Sequence, residues 1–354
     1  MQHKIFPLRV KSVQAETADA VTVCFDLPDS IREYFNFQSG QHITLIHPKL
    51  GESVKRSYSM CSAPYEQKLQ IAARRVSNGI FSNYLNEELK VDDEILVEIP
   101  EGRFFINLDE SRSGKYIFFA SGSGITPILS NIKQILFVES KSQIQLYYGN
   151  RHTDSIMFLE ELMNLKNRYP ANLSLHFLLS REKLEEELYH GRINADKLES
   201  FAKYFFKPEE VDAFFMCGPE SMLIELREKL LTMGVAVSKI HLELFGVQIP
   251  KPAPKVDSHG DASSLVRITL DGRTFEYSLA FNTESILDSA LKQGAKLPYA
   301  CKGGVCCTCK AKLLSGEVEM ATNYGLEPDE IQNDYVLSCQ SYPKTSKVEL
   351  SFDQ

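Results

Sequence analysis

The stretch Cys301-Lys-Gly-Gly-Val-Cys306-Cys-Thr-Cys309, followed much later by Cys339, decides how this sequence is interpreted. Three of its thiols fall in a C-x4-C-x2-C pattern, which is typical of a loop carrying three of the four thiolate ligands of a [2Fe-2S] cluster. The fourth ligand must then come from a distant segment, and Cys339 suits this role. Gly303 and Gly304 lack a β-carbon, so the backbone can curl and direct N–H groups at the sulfurs. The sequence therefore predicts Cys301, Cys306, Cys309 and Cys339 as cluster ligands.

Structural zinc is the alternative for four cysteines. Zinc modules usually use two short Cys-x2-Cys pairs rather than three clustered ligands and a remote one, so the iron–sulfur interpretation is favoured. Cys307 is expected to be a small, partly buried thiol outside the ligand set. At the four ligand positions the loop resembles that of plant-type ferredoxin domains.

The composition indicates a multidomain protein without a nucleic-acid or membrane partner. The 354 residues suggest two or three domains, and a net charge of −8 argues against binding by phosphate neutralisation. No apolar run is long enough to span a bilayer, and Met1 to Val10 do not resemble a secretory signal. Because the remaining cysteines are scattered, we do not expect a disulfide framework. We expect a cytoplasmic location.

The first segment, residues 1–108, is predicted to be an antiparallel β-barrel, since short β-branched stretches are separated by glycine and proline. Within it, the alternation of a strand puts Arg56 and Tyr58 on one face and Ser57 and Ser59 on the other. An arginine beside an aromatic ring can hold a phosphate while the ring stacks on a flat heterocycle. Gly79-Ile-Phe-Ser82 opens a helix whose free N–H groups suit a diphosphate. An exposed arginine and a half-buried tyrosine without a ligand are the alternative.

The second segment, residues 109–246, alternates strands and helices and predicts a doubly wound α/β domain. A buried strand runs into Gly122-Ser-Gly124-Ile-Thr126-Pro127, which has Pro127 where a full dinucleotide fingerprint has its third glycine. A later strand ends in Cys217-Gly218-Pro219. Residues 247–264 have the proline-rich and then small polar composition of a linker.

Residues 265–354 form the third segment. Strands around Asp271-Gly272 predict a hairpin, and a helix, the cysteine loop and a late cysteine-bearing strand follow. This is the β-grasp order of plant-type ferredoxins. An acidic group, Glu327, Asp329, Glu330 and Asp334, is expected to be a solvated face or to attract a basic partner.

In the order of these motifs the chain resembles the ferredoxin–NADP reductase superfamily with an added ferredoxin domain. The resemblance implies that Arg56 meets the flavin phosphates, that Tyr58 stacks on the flavin ring, and that Ser59 approaches its reactive edge. It also implies further flavin contacts from Ser57 and diphosphate contacts from Gly79 and Ser82.

The same resemblance assigns the nicotinamide side. It implies that Cys217 lies near the nicotinamide and that Glu243 and Phe245 close over the flavin, so Ser59, Cys217 and Glu243 are the expected catalytic residues. Ser180-Arg181 suits a ribose 2′-phosphate, which favours NADPH over NADH. The full set of expected nucleotide-binding residues is Gly122, Gly124, Thr126, Pro127, Arg151, Ser180, Arg181, Cys217, Gly218 and Pro219.

Together the three segments predict an electron-transfer enzyme. Hydride carries two electrons and a [2Fe-2S] cluster accepts one at a time, so a flavin belongs between nucleotide and cluster. Pro298–Cys306, Tyr147–Arg151 and Thr322–Glu330 are most similar to the family of reductases that serve phenylacetyl-CoA ring 1,2-epoxidases. This implies FAD rather than FMN and a di-iron oxygenase as the electron acceptor. The alternatives are the reductase of another di-iron or Rieske oxygenase, a component of a membrane-linked quinone reductase, and a redox-sensing or zinc-stapled binding protein.

Overall fold

The computed structural model describes residues 4–245, 263–299, 302–304, 307–326 and 328–353. The chain divides into two compact units, Gln2–Phe245 and Gly246–Gln354. Cys301, Cys306, Glu327 and nearly all of the predicted linker lie outside the described residues. Among those that are described, no helix combines the length and the apolar character needed to cross a membrane.

The first part of the larger unit is the predicted antiparallel barrel. Its six strands lie in the order β4-β3-β6-β1-β2-β5, and a bridge between Met60 and Ile71 joins the two ends of the sheet. Helix α1 packs against β5, β2 and β4. The elements are β1 (Ile5–Thr17), β2 (Ala20–Phe25), β3 (His42–His47), β4 (Gly51–Ser59), β5 (Leu69–Arg74), α1 (Ile80–Glu87) and β6 (Glu94–Glu98).

Strand β1 was not foreseen from the sequence. Its residues Ile5–Arg9 pair with β6, whereas Val10–Thr17 pair with β2, and the register shifts between Val10 and Ser12. A shift of this kind bends a strand and increases its twist, which lets one strand serve two partners. Because β1 changes its partner, its side chains are not buried in simple alternation. The sequence of β1 therefore lacks the period-2 pattern from which a strand is predicted.

The second part of the larger unit is a five-stranded parallel sheet in the order β11-β10-β7-β8-β9. All its strands point the same way, so the segments that follow them meet at one edge, where α/β sheets bind ligands. The elements are β7 (Lys115–Ser121), α2 (Ile125–Val138), β8 (Gln143–Asn150), α3 (Leu159–Arg168), β9 (Leu173–Leu179), α4 (Ala195–Tyr204), β10 (Ala213–Cys217), α5 (Glu220–Thr232) and β11 (Ile240–Glu243).

A buried carboxylate fixes the connection between barrel and sheet. The side chain of Glu139, just past α2, is fully buried and accepts hydrogen bonds from the Tyr116 hydroxyl (2.7 Å), the Ser142 hydroxyl (2.8 Å) and the Asp109 N–H (3.1 Å). The Arg112 guanidinium lies 3.7 Å away. Because a buried charge needs such partners, Glu139 ties the connecting segment to the start of β7.

The smaller unit has a mixed sheet in the order β13-β12-β18-β14-β16, in which β12 and β18 are parallel, and a separate pair, β15-β17. The Asp271-Gly272 hairpin is present, with positive φ at both residues (51° and 69°). The elements are β12 (Ser263–Leu270), β13 (Arg273–Ala280), α6 (Ile286–Lys292), β14 (Lys310–Ser315), β15 (Val318–Met320), α7 (Pro328–Gln332), β16 (Tyr335–Leu337), β17 (Ser341–Pro343) and β18 (Lys347–Ser351).

Barrel, doubly wound sheet and ferredoxin-like sheet confirm the predicted fold class, while the domain boundaries proposed from the sequence stay predictions. Local bounds differ by a few residues. The sequence pattern predicts a helix from about Ile128 to Phe137, but α2 begins three residues earlier, at Ile125, directly after a 3-10 turn at Gly122–Gly124. The other 3-10 turns are Arg32–Phe35, Pro64–Glu66, Thr153–Ser155, Glu187–Tyr189, Pro208–Glu210 and Val237–Lys239.

We expect Tyr116→Phe to destabilise the larger unit more than Tyr147→Phe. The Tyr116 hydroxyl binds the Glu139 carboxylate, whereas the Tyr147 hydroxyl donates to the neutral Gln145 amide oxygen at 2.8 Å. Hydrogen bonds to charged groups contribute about 2 kcal/mol and neutral ones about 1 kcal/mol. Urea unfolding of both variants measures the difference, and equal losses would contradict the role given to Glu139.

Candidate cofactor and electron-transfer sites

Strand β4 carries the predicted flavin-binding residues in the predicted orientation, because its period of two separates Arg56 and Tyr58 from Ser57 and Ser59. The Tyr58 ring is partly buried and lies 5.9 Å from the Phe81 ring of α1. Burial raises the pKa of Tyr58, so its hydroxyl is neutral. The exposed Arg56 guanidinium donates to the Lys55 carbonyl at 2.7 Å and can also reach an anion.

Ser59 supplies a direct test of whether a cofactor fits here. Its side chain is 3% exposed, and its Oγ has no hydrogen-bond partner within the described part of the chain. A buried hydroxyl without a partner costs free energy, which a polar ligand atom would recover. Ser57, on the same face, is exposed and bonds Thr44 through the two hydroxyls at 2.8 Å, so its cofactor contact stays a prediction.

The N-terminus of helix α1 has backbone N–H groups available for an anion. Its first intrahelical bond is donated by the Asn83 N–H to the Gly79 carbonyl at 3.2 Å, so the preceding amides have no acceptor within the helix. The Ser82 hydroxyl accepts from the Val76 N–H at 3.1 Å. A Cβ at Gly79 would lie 2.5 Å from that hydroxyl oxygen, so glycine lets the turn close.

The glycine loop after β7 lies directly against the end of β10. A Cβ at Gly124 would lie 2.2 Å from the Cys217 carbonyl oxygen, and one at Gly218 would lie 3.0 Å from the Ser121 Cβ. Thr126 is buried below the loop and donates to the Ser123 carbonyl at 3.1 Å. Thr126 and the equally buried Pro127 therefore support the loop, and their contact with a nucleotide stays a prediction.

Cys217 and Glu243 are neighbours across β10 and β11 and are both buried. Burial, with a contribution from Glu243, holds the pKa of the Cys217 thiol well above its usual range, so this thiol is neutral. The Glu243 carboxylate lies 4.0 Å from the His42 Nδ1 of β3. His42 is in turn the cross-strand partner of Ser59. The structure thus brings the three predicted catalytic residues to one junction between barrel and sheet.

His42 was missed by the sequence analysis. It begins β3, where Ile43-Thr-Leu-Ile46 are apolar or β-branched and a second histidine, His47, ends the strand, so the sequence gives no signal that singles out His42. Its side chain is almost fully buried, and burial lowers the pKa of His42 to about 4. It therefore enters the junction as a neutral ring beside Glu243.

The carboxyl ends of β8 and β9 bring the predicted phosphate-binding arginines together. The Arg181 N–H donates to the Arg151 carbonyl at 2.9 Å, and the Ser180 N–H donates to the Asn150 carbonyl at 3.0 Å. Both arginine side chains are exposed, and Glu182 is engaged by Thr153 instead. Asn150, which the sequence analysis did not select, has a buried side-chain amide without a partner among the described residues. Pro219 is the exposed N-cap of α5, and Phe245 is 39% exposed.

In the smaller unit, the segments of two predicted cluster ligands are joined by Ser338. Its N–H and its hydroxyl both donate to the Cys309 carbonyl, at 3.1 and 2.9 Å, and Cys339 follows directly. Cys309 and Cys339 are both buried. The Gln340 amide donates to the Lys302 carbonyl at 2.8 Å and lies 3.8 Å from the Cys339 sulfur, so it links the cysteine loop to the remote ligand.

Gly304 and Cys307 adopt positive φ in this loop (76° and 55°). A Cβ at Gly304 would lie 2.8 Å from the Thr322 carbonyl oxygen, so only glycine allows the loop to contact that segment. Cys309 and Cys339 are buried on segments that Ser338 joins, which is compatible with their predicted role as ligands. The positions of Cys301 and Cys306 remain a sequence prediction.

His42→Gln is expected to reduce the pH dependence of the free energy of unfolding below pH 6.5. Between pH 6.5 and about 4 the unfolded chain binds a proton at His42 that the folded chain excludes, so wild-type stability falls as the pH is lowered through this range. The loss reaches about 3 kcal/mol for this residue, at 1.36 kcal/mol per pKa unit. Urea unfolding at several pH values measures it.

The exposed His152→Gln is the matched control and should keep the wild-type profile. His176 and His241, whose pKa values burial also lowers to about 4, leave a residual slope in every variant. An unchanged slope in His42→Gln would contradict the burial of a neutral ring.

The sequence matches three domain families: the oxidoreductase FAD-binding domain at residues 7–106, the oxidoreductase NAD-binding domain at 118–228, and the 2Fe-2S iron-sulfur cluster binding domain at 268–344. The solved structure of phthalate dioxygenase reductase has a similar fold, with a TM-score of 0.59 and 23% identity over 98% of each chain.

Two relatives are similar over their full length. One of the subunits of the 1,2-phenylacetyl-CoA epoxidase of Escherichia coli K12 is 42% identical over 98% of this chain and 97% of its own. The ferredoxin reductase component of the 3-ketosteroid-9-alpha-monooxygenase of Rhodococcus rhodochrous is 32% identical over 98% of this chain and 96% of its own. With the three matched domains in this order, the chain belongs to the family of NAD(P)H-dependent flavin reductases that carry a C-terminal [2Fe-2S] ferredoxin domain.

Proposed function

We propose that this protein is the reductase component of a multicomponent oxygenase. In this proposal it takes hydride from NADPH onto FAD and passes electrons one at a time through a [2Fe-2S] cluster to a di-iron oxygenase that epoxidises phenylacetyl-CoA. The observation that carries the electron-transfer part is the junction of Ser59, His42, Glu243 and Cys217 between barrel and nucleotide sheet. The choice of acceptor is supported by the relative from E. coli, which is part of that epoxidase.

The roles of the flavin-side residues follow from their geometry. Bound FAD supplies a carrier that accepts the two electrons of a hydride together and releases them singly. Arg56 and the first amides of α1 bind the phosphates, and the Tyr58 ring packs on the flat ring system. The buried Ser59 hydroxyl bonds the flavin edge, which removes the cost of its missing partner.

The nucleotide-side residues place the nicotinamide. The Gly122–Gly124 loop presents its backbone to the diphosphate, and the side-chain-free surface formed with Gly218 allows the ring to approach. Cys217, a neutral buried thiol, and Glu243 line the junction and help to exclude water from it. In this arrangement the protein orients the two rings and does not itself form bonds to the hydride.

The choice of NADPH rests on the ends of β8 and β9. Arg151 and Arg181 lie on neighbouring backbone segments that are hydrogen-bonded to each other, and both side chains are exposed. Ser180 lies between the end of β9 and Arg181. Two guanidinium groups suit a ribose 2′-phosphate and have no comparable partner on a ribose hydroxyl pair.

Delivery to the acceptor is assigned to the cluster ligands Cys301, Cys306, Cys309 and Cys339. The cysteines outside the predicted ligand set are scattered along the sequence, which suits a reducing compartment, and we place the protein in the cytoplasm.

Cys339→Ser is expected to abolish cytochrome c reduction and to keep ferricyanide reduction near the wild-type rate. Cytochrome c needs electrons from the cluster in this proposal, whereas ferricyanide accepts them from the flavin. Both rates are measured with NADPH. Cys24→Ser, a half-buried thiol of the barrel, is the matched control and should change neither rate. Equal loss of both activities in Cys339→Ser would contradict the proposed electron order.

The acceptor is tested by reconstitution. With O₂ present, purified protein, NADPH and the oxygenase component of a phenylacetyl-CoA epoxidase should convert phenylacetyl-CoA to its epoxide, with the second oxygen atom reduced to water, and Cys339→Ser should not support this reaction. Epoxide formation would support the di-iron acceptor. Failure with this oxygenase but turnover with a 3-ketosteroid monooxygenase would refute it.

Arg181→Ala is expected to raise the KM for NADPH by roughly 10- to 100-fold and to leave the KM for NADH within about two-fold, since a charge-assisted bond to the 2′-phosphate contributes about 1.5–3 kcal/mol. Steady-state ferricyanide reduction with each nucleotide measures both constants. Arg168→Ala, an exposed arginine in the last turn of α3, is the control and should change neither. Equal effects on the two nucleotides would contradict the assignment.

A further inference from the structure

Helix α2 has a buried polar face as well as an apolar one. It begins directly after the Gly122–Gly124 loop, and its residues Ser130, Asn131 and Lys133 are all buried although their side chains are polar or charged. Buried polar groups need partners, and the partners of these three residues lie mainly in the barrel.

Ser130 and Asn131 bind three separate barrel segments. The Ser130 hydroxyl donates to the Ser62 carbonyl at 2.7 Å. The Asn131 amide oxygen accepts from the Ser39 hydroxyl at 2.9 Å, and its N–H group donates to the Phe104 carbonyl at 2.9 Å. All of these groups are buried, so water does not compete for them.

Lys133 is the charged member of the face, with 6% of its side chain exposed. Its ammonium group donates to the Cys61 carbonyl at 3.1 Å and pairs with Glu66 of the barrel at 3.2 Å and Glu161 of α3 at 2.5 Å. Burial disfavours the charged ammonium, but the carboxylates of Glu161 and Glu66 outweigh it and raise the pKa of Lys133.

These partners lie next to the junction of the proposed site. Cys61 and Ser62 follow Ser59 by two and three residues, and Ser39 precedes His42 by three. At its N-terminal end, α2 directly follows the Gly122–Gly124 loop. One rigid helix therefore bonds the segments that carry Ser59 and His42 while it holds the loop that faces Cys217.

We propose that the buried polar face of α2 sets the distance between the nicotinamide and the flavin edge, and that Lys133 is a positioning residue for hydride transfer. The inference rests on the proposed placement of flavin at Ser59 and nucleotide at Gly122–Gly124. Apolar side chains would stabilise a contact between helix and barrel at least as well as a buried ion pair does, so stability alone does not account for Lys133. Directional bonds to the backbone carbonyls of residues 61 and 62 additionally fix one register, and misplacement of reacting groups by about 1 Å costs on the order of 100-fold in rate.

The test is Lys133→Met, which keeps the length and apolar stem of the side chain and removes its donors. The variant is mixed anaerobically with saturating NADPH in a stopped-flow instrument, and flavin bleaching is followed. We expect normal flavin content, a change in the NADPH dissociation constant of about two-fold or less, and hydride transfer slowed on the order of ten-fold. The long-wavelength charge-transfer absorbance between nicotinamide and flavin should also weaken.

A second variant separates positioning from stability. Lys133→Met leaves Glu66 and Glu161 without their buried partner and destabilises the fold. The triple variant Lys133→Met/Glu66→Gln/Glu161→Gln removes these charges and should recover the stability while hydride transfer stays slow. It also replaces the single variant if that one fails to fold. Lys115→Met, which breaks the exposed 2.6 Å pair with Glu210, is the matched control and should transfer hydride normally.

A wild-type hydride-transfer rate in Lys133→Met, or its full return in the triple variant, would overturn the inference. Ser59→Ala distinguishes this failure from failure of the proposed site. A wild-type rate in Ser59→Ala would refute the flavin placement, whereas slow transfer in Ser59→Ala with normal transfer in Lys133→Met would refute only the role of α2.

Discussion

The contact between the glycine loop and the end of β10 is the constraint on which the larger unit depends. At Gly124 a β-carbon would overlap the Cys217 carbonyl, so the chain reaches this distance only with glycine. The contact places the loop beside Cys217, whose neighbour on β11 is Glu243. Glu243 in turn faces His42 of the barrel. A local steric condition thus brings the glycine loop of the sheet towards β3 of the barrel, whose His42 pairs with Ser59 of β4.

Polar groups in the interior of this unit fall into two classes. Glu139, Asn131 and Lys133 are buried and fully bonded, and they connect barrel and sheet. Four described residues of this unit instead have buried side-chain atoms without partners: Ser59, Asn83, Gln134 and Asn150. Three of them, Ser59, Asn83 and Asn150, lie on β4, in the first turn of α1 and at the end of β8, where cofactor groups are predicted. Natural folds rarely leave such atoms unpaired, and in the proposed function bound cofactors would supply partners for these three.

Much of this organisation could be predicted because it depends on local patterns. The alternation along β4, the Asp271-Gly272 hairpin and the strand–loop–helix order each involve neighbouring residues. His42 and Lys133 could not be predicted, because their significance depends on tertiary contacts: the Lys133 bond to Cys61 spans 72 residues. In the sequence, Ser130, Asn131 and Lys133 look like the solvated side of an amphipathic helix.

The acidic group near Cys339 shows the same limit in the smaller unit. Glu330 was expected on a solvated face or in contact with a basic partner, but it forms a 2.6 Å ion pair with Lys310, one residue after Cys309. This pair ties the segment after Cys309 to α7, while the Ser338 and Gln340 bonds join the cysteine-bearing segments. Two of the four cysteines that the proposed function assigns to the cluster, Cys309 and Cys339, thus lie on segments that hydrogen bonds of the protein itself hold together. In that proposal these contacts would help to orient the ligands.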